Sequence, residues 1–453
     1  MTVHPNSIEA RDIAYHFHAY TNARALEETG PMVIESGDGI RVKDNNGKSY
    51  IEAMAGLWSV AVGFNEKRLA DAAYAQMQKL PFYHNFSSKS HGPAVDLAEA
   101  LIGIAPVPMS KVFFTNSGSE ANDTILKMVW YRSNALGKPE KKKVISRLRG
   151  YHGVTIASAS MTGLPNNHRS FDLPLPGILH TTCPHYWKDG QDGESEEDFA
   201  TRCANDLEAM IQAEGPDTIA AFIGEPIMGA GGVVVPPKTY WKKIQAVLAK
   251  HDILLIADEV ICGFGRTGKM FGSQTYGMKP DIITMSKQIT SSYFPLSAFM
   301  VNERVYEPIA DESNRIGVLG HGFTAGAHPV GAVIALENLK IIQERNLVEN
   351  AAEVGAYMQE RLNALGDHAL VGEVRGQALI AAVELVAPKG REDEFAPGAL
   401  GGRLNALVAQ NGVISRNMMD ALAFCPPLII NRAEVDEMVG IVAKSLDQLA
   451  SEL

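Results

Sequence analysis

A chain of 453 residues exceeds what one hydrophobic core usually organises, so at least two domains are expected. Its composition, 46% apolar and 21% charged, is that of an ordinary globular protein. A formal net charge of −11 argues against nucleic acid or an anionic membrane surface as partner.

The four cysteines, Cys183, Cys203, Cys262 and Cys425, form no CxxC pair and no Cys/His ligand spacing. Neither disulfides nor a metal site is therefore expected, and free thiols suit a reducing cytoplasm. The opening MTVHPNSIEARDIAYHFHAY has no basic n-region or apolar h-region, so no signal peptide is expected. The longest apolar stretch, TIAAFIGEPIMGAGGVVV, is interrupted by Glu225 and by glycines, so no membrane span is expected.

In chain order, GIRVKDNNGKSYIEA (39–53) reads as a hairpin around an Asn-Gly turn. The segment 1–65 is expected to pack with the C-terminal domain. Residues 66–328 form a large domain in which short apolar runs alternate with helices. The runs are KVFFT (111–115), KKVISR (142–147), TIAAFIGE (218–225), DILLIAD (252–258), DIITMSK (281–287) and LSAFMV (296–301). Helices are expected over 119–136 and 237–251. This alternation predicts an α/β fold with a mostly parallel sheet covered on both faces. The stretch 189–198 is so polar that it reads as a solvated loop. From 329 to 453 the rhythm changes to a smaller α+β domain, with a helix over 329–347, a strand over 377–386, and helices over 399–411 and 433–451.

Two runs end by releasing one ionisable residue each, Asp258 and Lys287, which stand 287 − 258 = 29 residues apart. Ligands of open α/β sheets sit at the carboxyl ends of strands. A lysine there can hold an aldehyde as a Schiff base, and an aspartate can hold a ring nitrogen protonated, which is pyridoxal-phosphate chemistry. Alone, Asp258 could equally cap a helix or pair with Arg266, and Lys287 could simply face water.

The segment FFTNSGSEANDTILK (113–127) places Ser117, Gly118 and Ser119 between a strand and a helix. Gly118 permits close backbone approach, and Ser119 can cap the helix and donate its hydroxyl, which together suit a phosphate. The alternative is an ordinary capped turn. In RGYHGVT (149–155), Tyr151 could stack on a planar ring beside His152, or merely seal the turn. Glu225 ends another strand at the same edge, and Arg416 in VISRN could be a surface ion pair. No G-x-G-x-x-G follows the early strands, which disfavours a dinucleotide-binding protein.

The segments TNSGSEAND, YHG, GEP, DEVICGFGRTG, SKQITSSYFPLSA, HGFT and VISR resemble class III aminotransferases of fold type I, most closely the ω-transaminases that use pyruvate. The resemblance implies that pyridoxal phosphate is held by Lys287 and that Asp258 pairs with its ring nitrogen. Val260 and Tyr151 would enclose the ring, with His152 and Glu225 nearby. Ser117, Gly118 and Ser119 would bind the phosphate, and Phe323 and Thr324 would serve the neighbouring subunit's cofactor. A homodimer with shared sites follows, alone or paired into a tetramer. Tyr20, Leu57, Trp58, Phe86, Tyr151, Ala230 and Ile261 would form the substrate wall, and Arg416 would grip a carboxylate. Partners would then be an amine or ω-amino acid donor and a keto-acid acceptor.

Two departures stand out. Val154 replaces an arginine common in relatives acting on ornithine-type substrates, and Ala327 stands where glycine is common. Taurine- or β-alanine-type aminotransferases, PLP-dependent mutases or decarboxylases, and a non-catalytic PLP binder remain the competing readings.

Overall fold

The computed structural model describes residues 4–453, and residues 1–3 of the N-terminal segment lie outside it. A seven-stranded sheet forms its centre, in the order Lys111–Thr115, Ser297–Val301, Ile282–Met285, Leu254–Asp258, Ile219–Gly224, Lys143–Arg147, Ile178–Thr181. Every pairing beyond Ile282–Met285 is parallel, and Ser297–Val301 alone runs antiparallel to both neighbours. All expected strands are present. The edge strand Ile178–Thr181 was not anticipated, because ILHT is short and carries a histidine.

The strands are apolar runs because both faces are covered. Within Leu254–Asp258, Leu254 and Ile256 join one core with Ile125 and Val129 of the helix Gly118–Ala135. Leu255 and Ala257 point the other way, into a core with Trp241 and Ile244 of the helix Tyr240–Lys250. That period of two decides where each strand-end side chain emerges.

Two smaller sheets complete the fold. The hairpin Arg41–Asp44/Ser49–Glu52 forms around Gly47, whose positive φ of 81° suits the turn, and Asp44 Oδ1 accepts the N–H groups of Asn46 and Lys48. Ile34–Asp38 pairs with the outer edge of this hairpin, and Val413–Ile414 joins its other edge in parallel. The second sheet runs Val371–Gln377, Ile380–Leu385, Ala421–Phe424, Arg416–Met418, all antiparallel. The single strand expected over 377–386 is therefore the second arm of a hairpin. Its turn is disguised because Ala378, not glycine, takes the left-handed conformation at φ 51°.

The polar stretch 189–198 is a loop only in its middle. Asp189 ends a short helix, and Ser195 caps the helix Glu196–Glu214, whose acidic first turn suits its dipole. All four cysteines are free and buried. Among the described residues, no helix is long and apolar enough to cross a membrane.

Candidate active site

Asp258 continues the parity of Leu254 and Ile256 and so meets the helix Gly118–Ala135. Asn122 Nδ2 of that helix donates to Asp258 Oδ2 at 2.9 Å, and His152 Nδ1–H donates to the same oxygen at 2.8 Å. Thr284 Oγ1–H holds Asn122 by donating to its Oδ1 at 2.9 Å. The other Asp258 oxygen, Oδ1, accepts only the Val260 N–H at 3.2 Å. One acceptor position of a buried carboxylate thus stays open toward the cavity. Arg266 takes no part: it donates instead to the carbonyls of Leu379 and Pro426 and to Gln288 Oε1.

Lys287, expected as the last residue of its strand, lies two residues beyond the strand's end. The strand ends at Met285, Ser286 stays extended, and Lys287 opens a short 3₁₀ turn at φ 49°. A non-glycine residue in this region costs of order 1–3 kcal/mol, strain of the kind that collects at active sites. Burial draws the Lys287 amine down to about 8, against the opposing pull of Asp258 and Glu225. Glu225 accepts backbone N–H groups on both oxygens, from Tyr151 at 3.0 Å and Gly229 at 2.9 Å. Burial pushes its carboxyl above the usual range.

At the N-terminus of the helix Gly118–Ala135, the cap is Ser117 and not Ser119. Ser117 takes the extended conformation and its Oγ accepts the Glu120 N–H at 3.1 Å. Ser119 sits within the first turn, where its Oγ accepts the Val154 N–H at 3.0 Å and ties this turn to the Tyr151 loop. The first-turn N–H groups of Gly118 and Ser119 have no carbonyl four residues back to bond, so they remain available to an anion. A Cβ on Gly118 would come within 3.3 Å of Val260 Cγ2, so glycine keeps this approach clear.

These groups open on one cavity of about 580 Å³. Lys287, Asp258, Glu225, Gly118, Ser119 and Val260 line its floor, with Tyr151 and His152 beside them. Tyr20, Leu57, Trp58, Ala230, Ile261 and Arg416 form much of the wall, which Ala19, Gly153, Leu164, Ser286 and Asn417 complete. Arg416 arrives there because the chain changes sheets at Ser415, leaving Val413–Ile414 in one and starting Arg416–Met418 in the other. Ser117, Phe86, Phe323 and Thr324 do not line this cavity. Phe86 is 44% exposed and lies against Gly322, while Thr324 of the same HGFT segment is exposed. Ala327 adopts φ 57°, so the departure from glycine there leaves an alanine in left-handed backbone.

Sequence reasoning missed Asn122, Ser286, Leu164 and Asn417, of which Asn122 matters most. Little in the sequence singles it out, because the buried face of its helix also carries Thr124, Arg132 and Ser133. The assembled donor set fits pyridoxal phosphate: a desolvated amine for the aldehyde, an open carboxylate oxygen for the ring nitrogen, and free first-turn N–H groups for the phosphate. The buried His152 Nε2, without a hydrogen-bond partner in the protein, marks a further polar atom at the same place.

The chain matches the family "Aminotransferase class-III" over residues 23–446. An omega transaminase from Pseudomonas jessenii in complex with PMP is 60% identical, with a TM-score of 0.96 covering 98% of this chain and 99% of that one. A structure described as "Transaminase with L-ala" is 68% identical, with a TM-score of 0.92 covering 93% and 100%. Among curated relatives, the mitochondrial gamma aminobutyrate transaminase 1 of Solanum lycopersicum is 49% identical over 92% of this chain and 82% of its own length. The vanillin aminotransferase of Capsicum annuum is 48% identical over 92% and 91%. A fold-type-I α/β scaffold carrying this cavity, together with these matches, places the chain in the class III aminotransferases, enzymes that transfer amino groups with pyridoxal phosphate.

Proposed function

We propose that the enzyme moves an amino group from an apolar amine or an ω-amino acid to pyruvate, giving alanine. The observation that carries this reading is the charge inventory of the cavity. Apart from Lys287, Arg416 is the only lysine or arginine among the described residues that line it, and Leu57, Trp58, Ala230 and Ile261 form apolar wall. One guanidinium matches the single carboxylate of pyruvate bidentately. A second carboxylate, as in 2-oxoglutarate, would be desolvated against apolar wall without a partner. The gamma aminobutyrate transaminases among the relatives favour 4-aminobutyrate as a second donor, since its carboxylate could also pair with Arg416.

When bound, pyridoxal phosphate supplies a ring that withdraws electrons from the substrate's reacting carbon. The protein's own residues would do the rest. Lys287 Nζ, near 8, is poised to take and return a proton at neutral to mildly alkaline pH. Asp258 Oδ1 would accept from the ring nitrogen while His152 and Asn122 keep the carboxylate in place. Tyr151 and Val260 would hold the ring, and the turn at Gly118 and Ser119 the phosphate. The Ser117 hydroxyl acts by capping that turn.

Phe86, against Gly322, and the exposed Thr324 lie outside the chain's own cavity, and this supports a homodimer in which they and Phe323 complete the site of a second copy. Free buried thiols support a cytoplasmic enzyme. Single-turnover kinetics test the reading: Arg416→Ala is expected to slow the pyruvate half-reaction by roughly tenfold to a hundredfold while changing the 1-phenylethylamine half-reaction about twofold or less. Equal losses in both half-reactions would remove the role of Arg416 and with it the preference for a monocarboxylate.

A further inference from the structure

We propose that Arg149 and Arg375 form a two-armed clamp on the backbone of residues 231–233, and that this clamp positions Ala230 in the cavity wall and thereby sets which donors the enzyme accepts. Arg149 donates through Nη2 to the Gly231 carbonyl at 2.7 Å. Arg375 donates to the Gly232 carbonyl through Nε at 2.9 Å and Nη2 at 2.6 Å, and through Nε to the Val233 carbonyl at 3.2 Å. The glycines are required by this grip. A Cβ on Gly231 would stand 2.2 Å from the Arg149 carbonyl oxygen, and one on Gly232 would stand 3.0 Å from Arg149 Nη2. Gly232 also sits at φ +114°.

The two arms share a buried support. Arg149 Nη1 donates to His185 Nδ1 at 2.9 Å, which fixes the tautomer so that His185 Nε2–H donates to Glu373 at 2.9 Å. Arg375 reaches the same Glu373 at 2.6 Å and Glu384 at 2.7 Å, and Lys188 closes the network on Glu384 at 3.0 Å. The Arg375 and Glu384 side chains are 5% and 4% exposed. Removing one member of such a network leaves charge without a partner, so the geometry is held tightly.

The network links two parts of the cavity. On one side the clamped segment begins at Gly229, whose N–H is held by Glu225, so Ala230 is pinned from both ends. On the other side Glu373 and Arg375 lie on the strand Val371–Gln377, in the same sheet as Arg416. Ala230 and Arg416, two walls of the cavity, are thus referred to one rigid frame. Neither Arg149 nor Arg375 lines the cavity, so both are positioning residues. The effect on donors rests on the cavity being the amine site proposed above.

The test uses the holoenzyme with Arg375→Gln, Arg375→Lys and His185→Gln. Hydrogen exchange over residues 229–234 is expected to speed up about tenfold or more in Arg375→Gln, with a smaller change in His185→Gln. The kcat/KM ratio of 1-phenylethylamine to propan-2-amine should shift about fivefold or more, mostly through KM, with partial recovery in Arg375→Lys. If Arg375→Gln does not fold, His185→Gln carries both readouts. Unchanged exchange in the folded variants would overturn the clamp. Faster exchange with an unchanged donor ratio would overturn its role in donor choice. A wild-type enzyme that uses neither amine would instead refute the proposed donor class, with the exchange result still deciding the clamp.

Discussion

Trp58 offers a prediction in which backbone and side chain pull in opposite directions. It is 1% exposed, packs with Met54, Ile227, Val233 and Ile261, and lines the cavity. It also sits at φ 63°, in a segment where Ala55 at 49° and Gly56 at 68° are left-handed too. Cutting the indole back to Ala should cost about 3–5 kcal/mol of buried packing. Ordinarily a further cut to Gly would cost roughly 0.5–1 kcal/mol more in backbone entropy. At a left-handed position it also releases about 1–2 kcal/mol of strain that any Cβ imposes. The two effects nearly cancel, with a small balance in favour of Gly. Trp58→Gly should therefore denature at the same temperature as Trp58→Ala or about 1–2 °C above it. Both should raise kcat/KM for donors bulkier than 1-phenylethylamine, because the same wall recedes. Scanning calorimetry of the two holoenzymes checks the first outcome and a donor series the second. An Ala variant more stable than the Gly variant by about 1 kcal/mol would refute the strain argument. Unchanged bulky-donor rates would remove Trp58 from the wall.

Glu52 is 6% exposed, accepts the Met54 N–H at 2.9 Å, and is pushed by burial up to about 7. A raised carboxyl means the unfolded chain releases a proton that the folded chain keeps, so stability falls as pH rises from about 4.5 to about 7 and is flat above. Glu52→Gln should gain roughly 1–3 kcal/mol at pH 8 relative to pH 5. It should only reduce the slope, because Glu259 is also raised to about 7; urea midpoints at the two pH values check it. For Ala327, at φ 57° and 1% exposed, replacement by Gly should be neutral within about 0.5 kcal/mol, since strain relief and lost methyl burial offset. Ala327→Val should cost roughly 2–4 kcal/mol from strain and overpacking, read from the same denaturation curves. Finally, with Lys287 drawn down to about 8, the rate at which apoenzyme takes up pyridoxal phosphate should rise about tenfold per pH unit below that value and level off above it. A profile still climbing steeply through pH 10 would place the amine in water instead.

What could be read from the residues was whatever depends on local pattern. The strands of the central sheet announce themselves because burial on both faces leaves continuous apolar runs, and the ends of those runs locate Asp258 and Glu225. The edge strand Ile178–Thr181 lacks such a run. Chemistry singled out Lys287, which lines the cavity, but its left-handed turn was not legible, since no glycine flags it. Ser117 and Ser119 are equally good caps on paper, and only the extended backbone at Ser117 decides between them. Asn122 escaped because its worth lies entirely in a contact with a residue 136 positions away. The hairpin at Ala378 and the sheet change at Ser415 also depend on tertiary packing that overrides local preference.

The division of the cavity between sheets has a consequence for how substitutions act. Lys287, Asp258 and Glu225 lie at or just past the ends of adjacent strands of the seven-stranded sheet, whose parallel register fixes them relative to one another. Trp58 and Arg416 come instead from segments anchored to the two smaller sheets, and a rotation of those sheets by a few degrees would move both, and through Arg375 the segment carrying Ala230, more than Asp258, which Asn122 and His152 hold. Changes in the small sheets should therefore alter donor range and carboxylate grip while leaving cofactor binding intact. Changes at Asn122, His152 or Thr284 should weaken cofactor binding for every donor alike. Comparing cofactor affinity with donor selectivity across variants of the two groups separates them, and a correlation of the two properties within the small-sheet group would show that the cavity moves as one body.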